Sequence, residues 1–131
     1  MEKIVINQIQ NSKYINAANV LINTKLNVQL KHWATPTSSL AEHEALGDLY
    51  DSLDSITDRF VECTQGTLEE ILEGLNFGPL HKGNSLIIVK EAYNKLSSIR
   101  PSIKESHLGQ IIDDALEALT KAIYKLKFIT T

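Results

Sequence analysis

Apolar residues in this chain recur at steps of three and four over runs too long for anything but helices. Ile15, Ala18, Ile22, Leu26, Leu30 and Trp33 mark one run, and Leu46, Leu49, Leu53, Ile56, Phe60 and Cys63 a second. Leu86, Val89, Tyr93 and Leu96 make a third, and Leu108, Ile112, Ala115, Leu119, Ala122, Leu126 and Ile129 a fourth. Such spacing marks one face of an amphipathic helix. Two-residue alternation is almost absent, so the fold class is all-α. The first helix runs from Ile15 to near Pro36, since the residue before proline is pushed out of helical geometry. Residues 1–12 form an N-terminal segment, and the bundle occupies 13–128. Ser38 or Ser39 caps the second helix, Glu42 completes a capping box with Ser39, and Gly66 stops the helix. Thr67 caps a short helix, Leu68 to Leu72, with Glu69 and Glu70 at its positive end. A Gly/Pro loop spans 74–84, a third helix Ser85 to about Ser98, and a fourth Ile103 to about Phe128 beyond Pro101.

Two long helices, a long connection holding a short helix, and two more helices describe a ferritin-like four-helix bundle with one crossover. A length of 131 residues, 43% of them hydrophobic, suits a single domain over 1–131 with a core that needs no disulfides. The formal charge of -3, from 13 Lys plus Arg against 16 Asp plus Glu, offers no clustered positive face, so DNA is an unlikely partner. One Cys excludes a disulfide framework and a Cys-rich zinc site, and suits a reducing compartment. Met1 to Gln10 carries only Lys3 as a basic residue and lacks a secretory pattern. No segment approaches the roughly 20 apolar residues of a membrane span. The expectation is a cytoplasmic protein with no membrane contact.

Chemistry gathers between His32 and Glu62. At about 100° per residue, His43, Gly47, Asp51, Asp54, Asp58 and Glu62 form a stripe roughly 160° from the apolar side of the second helix. These side chains therefore point out of the bundle. The inward positions are Leu, Ile and Phe, and no Glu-x-x-His pair occurs, so residue identity excludes a di-iron site inside the bundle. His32, His43, Asp58 and Glu62 are ligand types that iron and other first-row metals accept. A second subunit must complete their shell. On the first helix Tyr14, Leu21 and Val28 form another apolar stripe, to one side of the core stripe and leading to His32. An apolar stripe outside a core marks a partner surface, and a homo-oligomer follows.

These residues resemble the mini-ferritins called Dps, the DNA-binding proteins from starved cells. In that family a His-Trp ends the first helix, a second His begins the next, an acid follows four residues later, and an Asp and a Glu lie in an Asp-x-x-Ala-Glu-Arg motif. His32 with Trp33 matches the first element, His43 the second, and Asp58 and Glu62 lie fifteen and nineteen residues beyond His43 as in the family. The match continues in register through Gly66-Thr67-Leu68-Glu69-Glu70-Ile71-Leu72. Gly47 stands where the family has its acid, Cys63 replaces the Arg, the Asn and Gly after His-Trp are absent, and the loop between the histidines is one residue shorter. The resemblance implies metal binding by His32, His43, Asp58 and Glu62 between subunits, with Trp33 packed beside the metal. It further implies that iron(II), for which zinc could substitute as the bound ion, is oxidised at these sites by peroxide or dioxygen and stored inside a homo-oligomeric shell of twelve subunits.

The alternative is a non-catalytic ferritin-like module with a degenerate metal site, assembling with itself or a larger complex. Asp51, Asp54, Asp58 and Glu62 also read as a solvated helix face, and His32 and His43 as interface histidines. Asp48 or Asp51 could replace the missing acid. Cys63 reads as a small core residue, His81 and His107 as surface residues, and Lys121, Lys125 and Lys127 as complements to a helix dipole. DNA compaction is the weakest reading, because DNA-binding members often use a Lys/Arg-rich tail that this chain lacks.

Overall fold

A computed structural model describes residues 2–36 and 39–129, with side chains from residue 11 onward. Among the described residues four helices pack around one continuous apolar core: α1 (Glu2–Ala34), α2 (Leu40–Leu68), α3 (Ser85–Ile99) and α4 (Ser106–Phe128). A single 3₁₀ turn, Arg100–Ser102, joins the last two. Among the described residues no helix is long and apolar enough to cross a membrane.

Side-chain bonds at the helix ends define how the elements run. Tyr14 reaches Glu105 at the start of α4, Thr67 at the end of α2 meets His107, and Lys125 at the end of α4 pairs with Asp48 in α2. Ser85 at the start of α3 donates to Glu42 at the start of α2 (2.8 Å). Thus α2 and α3 run parallel, α1 and α4 run parallel, and each packed pair, α1 with α2, α1 with α3, α2 with α4 and α3 with α4, is antiparallel. The connection from α2 to α3 must therefore travel the length of the bundle.

It does so without regular structure, pinned to α1 by a ladder of asparagines. Asn11 donates to Glu70, and Asn19 donates to the Gly74 carbonyl and accepts from the Asn76 amide. Asn23 donates to the carbonyls of Phe77 and Pro79, and Asn27 accepts from the His81 amide (2.7 Å). The rungs lie eight, four and four residues apart along α1, each step of four turning about 40° further round the helix, so the strap winds obliquely across α1 while sixteen residues of helix span about 24 Å. A strap with few partners of its own thus has its backbone polar groups satisfied by side chains.

Several sequence expectations change. Residues expected as an N-terminal segment belong to α1, which is helical from Glu2. The faces of α1 are exchanged: Tyr14, Leu21 and Val28, read as a partner stripe, are buried in the core with Ala17 and Ala18. Of the stripe read as core, only Ala18 is fully buried, while Leu30 and Trp33 are exposed. Both stripes are apolar, and α3 settles the choice because it packs on the side of α1 that turns Tyr14, Leu21 and Val28 inward.

Helix α2 passes through Gly66, where a Cβ would meet nothing within 4 Å, and ends two residues later at Leu68, with Glu69 as its C-cap. There Glu69 takes a left-handed conformation (φ 54°), and the amides of Glu69 and Glu70 both reach the Gln65 carbonyl. The expected short helix from Leu68 to Leu72 does not form, because Leu72 turns into the core and its amide is taken by the Gln65 side chain (3.0 Å). The expected capping box is not made: Ser39 offers no side-chain cap, and Glu42 serves Ser85. The other candidate cap, Ser38, lies outside the described residues. Cys63 is exposed and the neighbouring Thr64 is buried in its place. Helix α3 starts as expected, with Asn84 capping the Ile87 amide. Helix α4 begins at Ser106 rather than Ile103, which is buried beneath the 3₁₀ turn, and Ile129 at its end is exposed.

Candidate functional site

His32 lies in the last turn of α1 and His43 in the first turn of α2, where the two helices meet. Each ring bonds the other residue's backbone: His32 Nδ1 to the His43 carbonyl (2.7 Å), and His43 Nδ1 to the His32 carbonyl (2.9 Å). A carbonyl can only accept, so both Nδ1 atoms carry the proton and, in the neutral rings, both Nε2 atoms present lone pairs. The rings stack with centroids 3.9 Å apart and planes 20° from parallel. The brace has a helical purpose too. The His32 carbonyl is among the last four of α1, which have no partner within the helix, and His43 supplies one.

Gly47, one turn beyond His43, makes this arrangement possible. A Cβ there would lie 2.8 Å from His32 Cε1, closer than real contacts allow, and a tight 3.3 Å from Nδ1. The absent side chain leaves room for the His32 ring on α2. Gly47 is thus the surface against which one histidine rests.

Asp58 and Glu62 project from the exposed side of α2, one turn apart. Fifteen residues of helix separate Asp58 from His43, about 22 Å. Asp58 lines a shallow hollow beside the Lys25–Asp54 ion pair (3.2 Å). No group of three or more His, Cys, Asp or Glu among the described residues is placed to hold a metal ion. Asp48 does not replace the missing acid, because it turns toward α4 and pairs with Lys125 (3.2 Å). Asp51 is exposed. Beside the histidines at the helix ends Trp33 is 66% exposed and Leu40 60%, Ile22 and Leu26 farther down α1 are half-buried, and the outward stripe of α2 is acidic, with Asp51, Asp54, Asp58 and Glu62 exposed.

Two clusters went unnoticed in the sequence. Tyr14, almost fully buried, donates its hydroxyl to the Glu105 carboxylate, 2.8 and 2.7 Å from the two oxygens. Burial and then this bond push the phenol up to about 12, and the same bond holds the Glu105 carboxyl below its ordinary range. Ninety-one residues separate the pair, so only the fold could reveal it. His81, expected as a lone surface residue, is partly buried and bonded to Glu91 (2.5 Å), with Nδ1 accepting from the Gly83 amide (2.9 Å). His107 is exposed as expected, and meets the Thr67 hydroxyl (2.8 Å).

No curated protein and no solved structure matches the chain. One family model matches residues 32–126, a span that starts at His32 and includes His43, Gly47, Asp58 and Glu62. The chain belongs to that family, a family of unknown function designated DUF5856.

Proposed function

We propose that this chain is a ferritin-like module that self-associates through its outer α1–α2 face, where His32 and His43 of one copy meet Asp58 and Glu62 of another around iron(II). The observation that carries this reading is the tautomer of the two histidines. Metal-binding imidazoles characteristically donate one ring N–H to a carbonyl or carboxylate and bind through the other nitrogen. Both rings are already held so, with Nδ1 spent and Nε2 making no hydrogen bond among the described residues. The parallel α2 and α3 and the long crossover support the ferritin-like assignment.

The 22 Å between the histidines and the carboxylates excludes a shell within one chain. Two copies packed antiparallel on this face would bring one copy's histidines to the other's carboxylates, and the exposed Trp33 and Leu40 would be covered there. Lone pairs lie in the ring planes, so two stacked rings do not aim at one point. Each imidazole then serves its own ion. An imidazole joined by a carboxylate suits iron(II) as a substrate for oxidation by dioxygen or peroxide, with zinc as a redox-silent substitute, and two such ions use both imidazoles and both carboxylates.

A second reading is favoured by the brace itself. The reciprocal bonds and the Gly47 contact explain both histidines structurally, which is what a non-catalytic ferritin-like module would keep. One variant separates the readings. In His43→Asn the amide nitrogen can occupy the place of Nδ1 and keep the bond to the His32 carbonyl, while Nε2 is gone. Native mass is measured first, then ferric absorbance after anaerobic iron(II) loading and addition of oxidant. A homo-oligomer that oxidises iron(II) faster than buffer, and loses this in His43→Asn with its fold intact, supports the metal reading. Oxidation at the buffer rate by the unmodified chain sinks it and leaves the structural module.

A further inference from the structure

A cleft of about 660 Å³ opens between α1, the crossover and α3, without any residue of α2 and remote from the His32–His43 pair. That volume is typical of small-molecule sites. Its floor is apolar, from Val20, Ile88, Ala92 and Ile99, and its rim is rich in carboxamides. We propose that this cleft binds a small neutral polyol of ribose or hexose size, laying the sugar's apolar face on the floor and its hydroxyls against Asn16 and Asn94. The inference is independent of the metal reading.

Three features select that chemistry. The charged side chains of the lining, Glu91 and Lys95, are opposite in sign and one helical turn apart, so a charged ligand gains little net attraction. A carboxamide both donates and accepts, as a hydroxyl does, and adjacent hydroxyls can use both ends of one amide. Asn19 and Asn23 are committed to the crossover, whereas Asn16 and Asn94 are exposed and have no hydrogen-bond partner among the described residues.

The cleft binds without turning its ligand over by acid–base chemistry at the one imidazole it contains. His81 accepts from the Gly83 amide at Nδ1, so its Nε2–H is the donor to Glu91, and neither nitrogen is free to move a proton. One wall is the crossover, held to α1 by asparagine side chains, so a ligand bridging α1 and α3 beneath it should also slow its opening.

The test is titration of the isotope-labelled full chain with D-ribose, D-glucose and, as the charged comparison, inorganic phosphate. The expected result is saturable shifts with ribose or glucose confined to residues 16–24, 76–81 and 88–99, with slower amide exchange over 76–81. Asn16→Ala and Asn94→Ala, at exposed positions that leave helical content unchanged, should each weaken binding about fivefold. Absence of saturable shifts with both sugars, a response to phosphate alone, shifts scattered over the chain, or unchanged affinity in both variants would overturn the proposal.

Discussion

Replacing Gly47 with alanine should destabilise the protein, although the same change at Gly66 of the same helix should stabilise it. Alanine is favoured over glycine in a helix interior by about 1 kcal/mol, and both positions gain that much. At Gly66 nothing lies within 4 Å of the new Cβ, so the gain is kept. At Gly47 the Cβ would fall 2.8 Å from His32 Cε1, 3.3 Å from Nδ1 and 3.4 Å from Nε2. The whole ring edge must retreat. Retreat breaks the 2.7 Å bond from Nδ1 to the His43 carbonyl and opens the 3.9 Å stack. A net hydrogen bond contributes about 1 kcal/mol, ring packing about as much, and displacement of the ring adds about 1 kcal/mol of strain. The balance is a loss of about 1–2 kcal/mol for Gly47→Ala against a gain of about 0.5–1 kcal/mol for Gly66→Ala. Urea unfolding followed by far-UV circular dichroism resolves that difference, and thermal midpoints should move about 4 °C per kcal/mol for a chain of this size. Equal stabilisation by both variants would show that the His32 ring does not rest on Gly47. Gly47→Asp should likewise weaken any metal binding at His32, by pushing its Nε2 out of position.

Tyr14→Phe should cost about 1–2 kcal/mol, since it removes a hydrogen bond to a charged group that water can partly replace. Its pH signature is specific. The lowered Glu105 pKa contributes stability above the ordinary carboxylate range that is lost as pH falls through the folded value, and the raised Tyr14 pKa contributes stability that is lost as pH climbs from 10 to about 12. Both slopes should flatten in the variant, and an unchanged urea midpoint across pH would refute the pairing. Thr64→Val should leave stability unchanged or raise it by up to about 1 kcal/mol, because the buried Thr64 hydroxyl has no partner among the described residues; a loss above that size would reveal one. Asn27→Ala should speed hydrogen exchange at the His81 amide, which loses its acceptor, while amides in the middle of α4 keep their protection. Equal exchange in both proteins would mean that the crossover does not depend on this rung.

The all-helical class was legible because residue spacing and the turn residues agreed along most of the chain. Leu46, Leu49, Leu53, Ile56 and Phe60 are buried as their period predicts, and so are Leu108, Ile112, Ala115, Leu119 and Ala122. Where a helix offered two apolar faces, the period was silent. On α1 both stripes satisfy the same spacing, and only the position of α3 shows that Tyr14, Leu21 and Val28 face inward. The asparagines at 19, 23 and 27 carried a readable signal in their spacing by fours, with Asn11 two steps earlier, but their target was a strap more than fifty residues away.

For the candidate site, the sequence by itself determined that Asp58 and Glu62 leave the bundle on the exposed side of α2, because helical rotation follows from residue number alone. It also determined that the crossover is long, since glycines and a proline interrupt 74–84. Tertiary structure alone decided how the histidines use their nitrogens and what the glycine beside them does. Those facts depend on two helix ends being brought within one hydrogen bond of each other, a distance that no pattern along a single helix encodes.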